Sequence, residues 1–156
     1  MGEVTGRVGG FSVRVEITSG SITGRIGGML RGADLDLSIN EDSITGRVGG
    51  GVVGKDVNLN LTDSGIYGRL GGSVDGQDLR LSGNCSYTGR VGGSTLGFDC
   101  HLHWDESAKM MSGRFGGSAM GHDVQLSGED PLFVALVACL TYYYYKVTGR
   151  GSNSGK

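Results

Sequence analysis

Asp99, His101 and His103 alternate along "FDCHLHW", so in an extended strand one carboxylate and two imidazoles share a face. Such a trio is the beginning of a divalent-metal site. A complete site needs further ligands and groups that orient the imidazoles, and the neighbouring sequence supplies neither. No metal or other cofactor is therefore expected, and His122 is expected at a rim without a role of its own. Arginine offers a second chemistry. Arg25, Arg47, Arg69, Arg90 and Arg114 each stand in a "GRxGG" motif, and a guanidinium fork matches an oxyanion, so these five are candidate anion-binding residues. Each is also followed, nine positions on, by an acid: Asp34, Asp56, Asp78, Asp99 and Asp123, with Arg7 and Glu16 as the first copy. The alternative reading is a set of surface ion pairs holding strand register, worth a few tenths to ~1 kcal/mol each. Ser-His-Asp order, GxSxG, HExxH and a P-loop are all missing, and the Gly-Gly pairs lead into strands instead of helix N-termini. An enzyme is not expected.

These arginines recur because the chain repeats. "TGRVGG" at Thr5, "TGRIGG" at Thr23, "TGRVGG" at Thr45, "YGRLGG" at Tyr67, "TGRVGG" at Thr88 and "SGRFGG" at Ser112 are spaced by 18, 22, 22, 21 and 24 residues. A second segment follows in each copy: "VEIT", "DLDLSI", "DVNLNL", "DLRLSG", "DCHLHW" and "DVQLSG". Apolar and polar residues alternate in both, the signature of half-buried strands. Six copies thus predict about twelve strands in six hairpins, turning after each Gly-Gly. One face collects residues such as Val4 and Val8, Ile22 and Ile26, Leu35 and Leu37; the other carries Thr23, Arg25, Asp34 and Asp36. Each hairpin has a wet side and a dry side. The middle dry-face residue of every first strand is glycine: Gly6, Gly24, Gly46, Gly68, Gly89 and Gly113. A strand-interior glycine marks a close approach, so this row is expected to clear space for a bulky central element.

That element is "PLFVALVACLTYYYYKV", residues 131–147, introduced by Asp130 as N-cap and Pro131 at the first helical position. It is apolar on every side and must be buried all round. Roughly 14 apolar residues fall short of the ~20 that span a membrane. Burying them contributes on the order of 20–30 kcal/mol before conformational entropy is subtracted. Tyr142, Tyr143, Tyr144 and Tyr145 are expected to bring hydroxyls to where the helix meets solvent. Twelve strands tilted ~40° close into a barrel of radius about 12 Å, which holds one helix and a layer of side chains. The fold class is therefore all-β with one helix: a closed antiparallel barrel of about twelve strands around a buried C-terminal helix. The alternative is a β-solenoid capped by that helix, in which equivalent arginines would stack in a parallel ladder. The expected organisation is one repeat barrel over residues 1–147 and a flexible tail over 148–156.

"EDPLFVALVACLTYYYY", following a run of short strands, resembles the C-terminal core helix of the tubby-like superfamily, within it the LURP-one-related and phospholipid-scramblase branch. There an acidic-Asp-Pro lead precedes an apolar helix threading a twelve-stranded barrel. The likeness covers the helix and otherwise only strand count and order. This chain is shorter than typical members, its copies are more regular, and the inserted loops are absent. The resemblance implies phosphoinositide binding through a basic surface, whose basic positions do not map here residue by residue.

With Lys+Arg 14 against Asp+Glu 16, a net charge of −2 provides no general attraction to nucleic acid or to an anionic membrane. Cys85, Cys100 and Cys139 lack CxxC or zinc spacing and read as reduced thiols. "NLT" at Asn60 and "NCS" at Asn84 match the glycosylation sequon by chance on this reading, because no secretory signal precedes them. A cytoplasmic monomer, peripheral at a membrane, is expected. The function expected is that of a non-catalytic scaffold of tubby-like type contacting anionic lipid headgroups or a protein. The alternative is a multivalent carbohydrate-binding surface, motivated by six near-equivalent outer patches.

Overall fold

A computed structural model of the chain describes residues 2–27, 32–49, 54–71, 76–92, 97–116 and 122–148. Twelve strands alternate in direction: β1 (Gly2–Val8), β2 (Phe11–Ile17), β3 (Ser21–Ile26), β4 (Ala33–Asn40), β5 (Ser43–Val48), β6 (Lys55–Leu61), β7 (Gly65–Leu70), β8 (Gln77–Asn84), β9 (Ser86–Gly92), β10 (Gly97–Asp105), β11 (Met110–Phe115) and β12 (His122–Ser127). Each pairs antiparallel with its sequence neighbours, and β12 pairs with β1 to close the barrel. The solenoid alternative falls, since no parallel ladder exists among these strands and equivalent arginines are never adjacent. Closure leaves no exposed sheet edge, the usual hazard of an all-β chain.

Inward positions follow the predicted alternation. Val4, Val8, Ile22, Ile26, Leu35, Leu37, Ile44, Val48, Leu59 and Leu70 are all buried, together with Phe11, Val13, Val15 and Ile17 of β2. The helix α1 (Pro131–Thr148), one residue longer than expected at its end, runs through this apolar interior. Asp130 caps it: Oδ1 accepts from the Leu132 amide at 3.2 Å, and its carbonyl accepts from the Val134 amide. Val134 to Leu140 have at most 2 % of their surface exposed. Thr141, the one polar residue in the buried stretch, donates its hydroxyl to the Val137 carbonyl four residues back at 2.8 Å. Cys139 Sγ lies 3.9 Å from Cys100 Sγ across the helix–wall contact; this hydrogen bond and burial raise the Cys139 thiol pKa. Cys85 is exposed.

Three expectations need correction. The register of Arg25, Arg47, Arg69, Arg90 and Arg114 opposite their aspartates holds, but Arg7 faces Ser12, and Glu16 faces Glu3. Val8 and Phe11 enclose two residues, whereas Ile26 and Ala33 enclose six. The first hairpin is thus four residues shorter, which accounts for the first repeat step of 18 where the next is 22. A tight turn through Gly9, at φ 60, makes the shorter loop possible.

The glycine row, secondly, does not make room for the helix. A Cβ at Gly46 would lie 2.1 Å from the Asp36 carbonyl oxygen and 2.8 Å from Leu37 Cα, both in the backbone of the preceding strand. The same collision occurs at Gly6 against Gln125 and Leu126, across the closing seam. These residues are bend points where each first strand leans on its neighbour, the device that curls a sheet into a barrel.

Thirdly, the tyrosines do not reach solvent. Tyr142, Tyr143, Tyr144 and Tyr145 are 7, 2, 2 and 1 % exposed. Successive helix residues point about 100° apart, so four in a row sweep nearly the whole circumference. Tyr142 stacks on Phe115 at 4.8 Å and accepts or donates a hydrogen bond with His122 Nδ1 at 3.2 Å, which gives His122 a role. Tyr145 stacks on Phe11 at 4.0 Å and donates to the Ile26 carbonyl at 3.0 Å. Tyr144 lies against Gly49. Together they close the barrel at the end where the hairpins turn. The tail from residue 149, and most Gly-Gly turns, lie outside the described residues.

Candidate functional site

With α1 in the lumen, the polar side chains that the described strands offer to a ligand stand on the outer wall. Each "GRxGG" arginine projects there from an odd-numbered strand, because the period of two that turns Ile22 and Ile26 inward turns Thr23 and Arg25 outward. Four bind their own aspartate: Arg25 to Asp34 at 2.7 Å, Arg69 to Asp78 at 2.8 Å, Arg90 to Asp99 at 2.7 Å and Arg114 to Asp123 at 2.5 Å. Arg47 binds Asp56 in the same way. The five candidates are therefore distributed around the barrel, each held within its own hairpin. Exposed pairs of this kind contribute ~0–1 kcal/mol apiece.

His101 and His103 project outward as expected, but Asp99 is engaged by Arg90. Among the described residues no group of three or more His, Cys, Asp or Glu side chains is placed to hold a metal ion.

Variation lies on the seams between copies. Across them the motif arginine faces a residue that changes from copy to copy: Gln125 opposite Arg7, Arg14 opposite Arg25, Asp36 opposite Arg47, Asn58 opposite Arg69, Arg80 opposite Arg90 and His101 opposite Arg114. Two seams set like charges face to face, an arrangement that destabilises a sheet. In the first, Glu3 binds Arg14 at 3.2 Å. In the second, Arg80 makes no ion pair or side-chain hydrogen bond among the described residues.

Beside Arg80 the wall is dented. Asn58 and Asn60 of β6, Tyr67 and Arg69 of β7, and Asp78 and Arg80 of β8 line an open depression of about 370 Å³ floored by Gly68 and Leu79. Register arranges them in two rows, Asn58–Arg69–Asp78 and Asn60–Tyr67–Arg80. Tyr67 is 49 % exposed, the only large hydrophobic so exposed among the described residues. Neither Tyr67 nor Arg80 was picked out by motif. The available signal was departure from the repeat: Tyr67 stands where other copies have Thr or Ser.

Compared with protein-family models, with curated proteins and with solved structures, the chain matches none. Its architecture, a closed twelve-stranded antiparallel barrel with one associated helix, is the general one that the tubby-like resemblance implies.

Proposed function

We propose that this chain is a non-catalytic recognition scaffold of the tubby-like kind, acting as one unit over residues 1–147 and presenting its outer wall to an anionic phospholipid surface or a protein at the cytoplasmic face of a membrane. One observation carries the reading: α1 fills the lumen with residues at most 2 % exposed from Val134 to Leu140, so recognition falls to the wall. A lumen occupied by a buried helix suits recognition at the wall better than chemistry within an enclosed pocket. Among the described residues no helix is long and apolar enough to cross a membrane. The outward positions of the strands are polar, the reverse of the apolar band on a lipid-embedded barrel. Arginines along that wall are suited to phosphate and carboxylate oxygens.

Flotation of the full chain with phosphatidylcholine vesicles, with and without phosphatidylinositol phosphate or phosphatidylserine, tests the lipid reading. Binding that needs the anionic lipid and weakens with salt supports it. Failure to float with either anionic lipid removes it.

A second reading, carbohydrate recognition by the wall, is favoured by Tyr67. An exposed tyrosine flanked by Asn60 and Arg80 is an amphipathic platform of the kind that sugar rings use.

A further inference from the structure

We infer that the depression across β6, β7 and β8 is a binding site for a carboxylate-bearing sugar, with Tyr67 as the stacking platform and Arg80 as the partner of the sugar's carboxylate. The inference rests on the second reading above and deepens it to one site and one ligand class. It starts from two departures from the repeat that meet on neighbouring strands. Tyr67 replaces the Thr or Ser of the other five copies, and Arg80, its direct cross-strand partner, is an arginine without a carboxylate. Neither departure is explained by the wall itself. Tyr67 is half exposed, and Arg80 faces Arg90 on its other side, where like charges oppose each other.

The remaining lining fits the same ligand. Asn58 and Asn60 offer carboxamides that make no side-chain hydrogen bond among the described residues, each with donor and acceptor capacity. Hydroxyls on a pyranose ring need such two-way partners, whereas the ring's C–H face needs an apolar plane. Tyr67 supplies that plane beside Asn60. Arg69 and Asp78 hold each other at 2.8 Å, so the charge in excess at this place is that of Arg80. A guanidinium receives a carboxylate through two parallel hydrogen bonds. A simple phosphate would use the arginine but has no face to stack on Tyr67. The depression, about 370 Å³ and open, suits one ring at the end or along the side of a longer glycan.

The test is a titration of the isotopically labelled full chain, followed by amide resonances, with methyl β-glucuronide, methyl β-glucoside and inorganic phosphate as separate ligands. The glucuronide is expected to shift Tyr67, Arg69 and Arg80 amides saturably, and the glucoside to bind at least roughly tenfold more weakly. Tyr67→Thr and Arg80→Gln restore residues that the repeat carries at those positions elsewhere, so both variants are expected to fold. Each should weaken glucuronide binding roughly tenfold or more without lowering the thermal midpoint, which Arg80→Gln should raise slightly by relieving the opposition of Arg80 and Arg90. A tyrosine or arginine serving only the sheet would lower the midpoint and leave affinity alone. Absence of saturable shifts, equal binding of glucoside or phosphate, or unchanged affinity in both variants overturns the inference. Vesicle flotation of the parent chain separates the two readings: a parent that floats with anionic vesicles but shows no saturable glucuronide binding removes the sugar site and leaves the lipid reading standing.

Discussion

Gly46 illustrates how one residue type can be legible in a sequence while its reason is not. Its recurrence in six copies marks a constraint, and only the pairing of β5 with β4 shows which: a Cβ would enter the space of the Asp36 carbonyl at 2.1 Å. With φ at 153 the backbone also sits where side chains are strained. Gly46→Ala is therefore expected to cost about 2–4 kcal/mol, through strain and displacement of the β4 backbone. Gly20→Ala serves as control, because a Cβ there meets nothing within 4 Å and should change stability by less than ~0.5 kcal/mol. Urea denaturation of both decides the matter; similar midpoints for the two variants would refute the bend-point account. The same scale holds the correction to Arg7. Counting nine residues forward found Glu16, but partnership depends on loop length, and the step of 18 already contained the missing four.

The helix was the most legible element. Its cap and its proline marked where it starts, its uninterrupted apolar run pointed to burial, and burial on all sides is what the barrel provides. Leu136, fully buried on α1, lies among side chains from both the helix and the wall. Leu136→Ala should cost about 2–5 kcal/mol, the transfer loss plus an unfilled cavity. Equilibrium denaturation checks this, and a loss below ~1 kcal/mol would mean the lumen is not packed as described. The tyrosine run departs from expectation. Hydroxyls usually signal solvent, yet here Tyr145 and Tyr142 find partners at the strand ends, the Ile26 carbonyl and His122. Strand ends carry unpaired backbone groups, so a barrel mouth can satisfy polar atoms without water.

For the whole molecule, that plug of tyrosines ties stability to alkaline pH. Burial pushes the Tyr143 hydroxyl up to about 12, with the Arg69 charge offsetting a smaller part, and burial also raises Tyr142 and Tyr87. The unfolded chain releases these protons near pH ~10. Above that value the unfolded state binds fewer protons than the folded one, so stability falls as pH rises toward 12. Tyr143 alone should account for a loss on the order of 2 kcal/mol across that window. Denaturation midpoints measured at several pH values between 9 and 12 should fall more gently for Tyr143→Phe than for the parent; identical slopes would show that burial does not hold the Tyr143 hydroxyl above its ordinary range. Closure is also a property of this scale. Gly6 faces Leu126 across the β1–β12 seam just as Gly46 faces Leu37 between copies, so the first and last strands meet as though they were consecutive.

By itself the sequence determined strand number, the face each residue takes, five of six hairpin registers and the burial of the helix. All of these follow from local periodicity and from charges a fixed distance apart within one hairpin. Tertiary structure alone decided why the glycines recur, where the tyrosine hydroxyls go, and that Tyr67, Asn60 and Arg80 share one row of the wall. Those facts depend on contacts between copies, whose linkers differ in length, and on the depth of the helix in the lumen. Neither quantity is written in any single segment; both emerge when antiparallel pairing and ring closure set every strand against its neighbours at once.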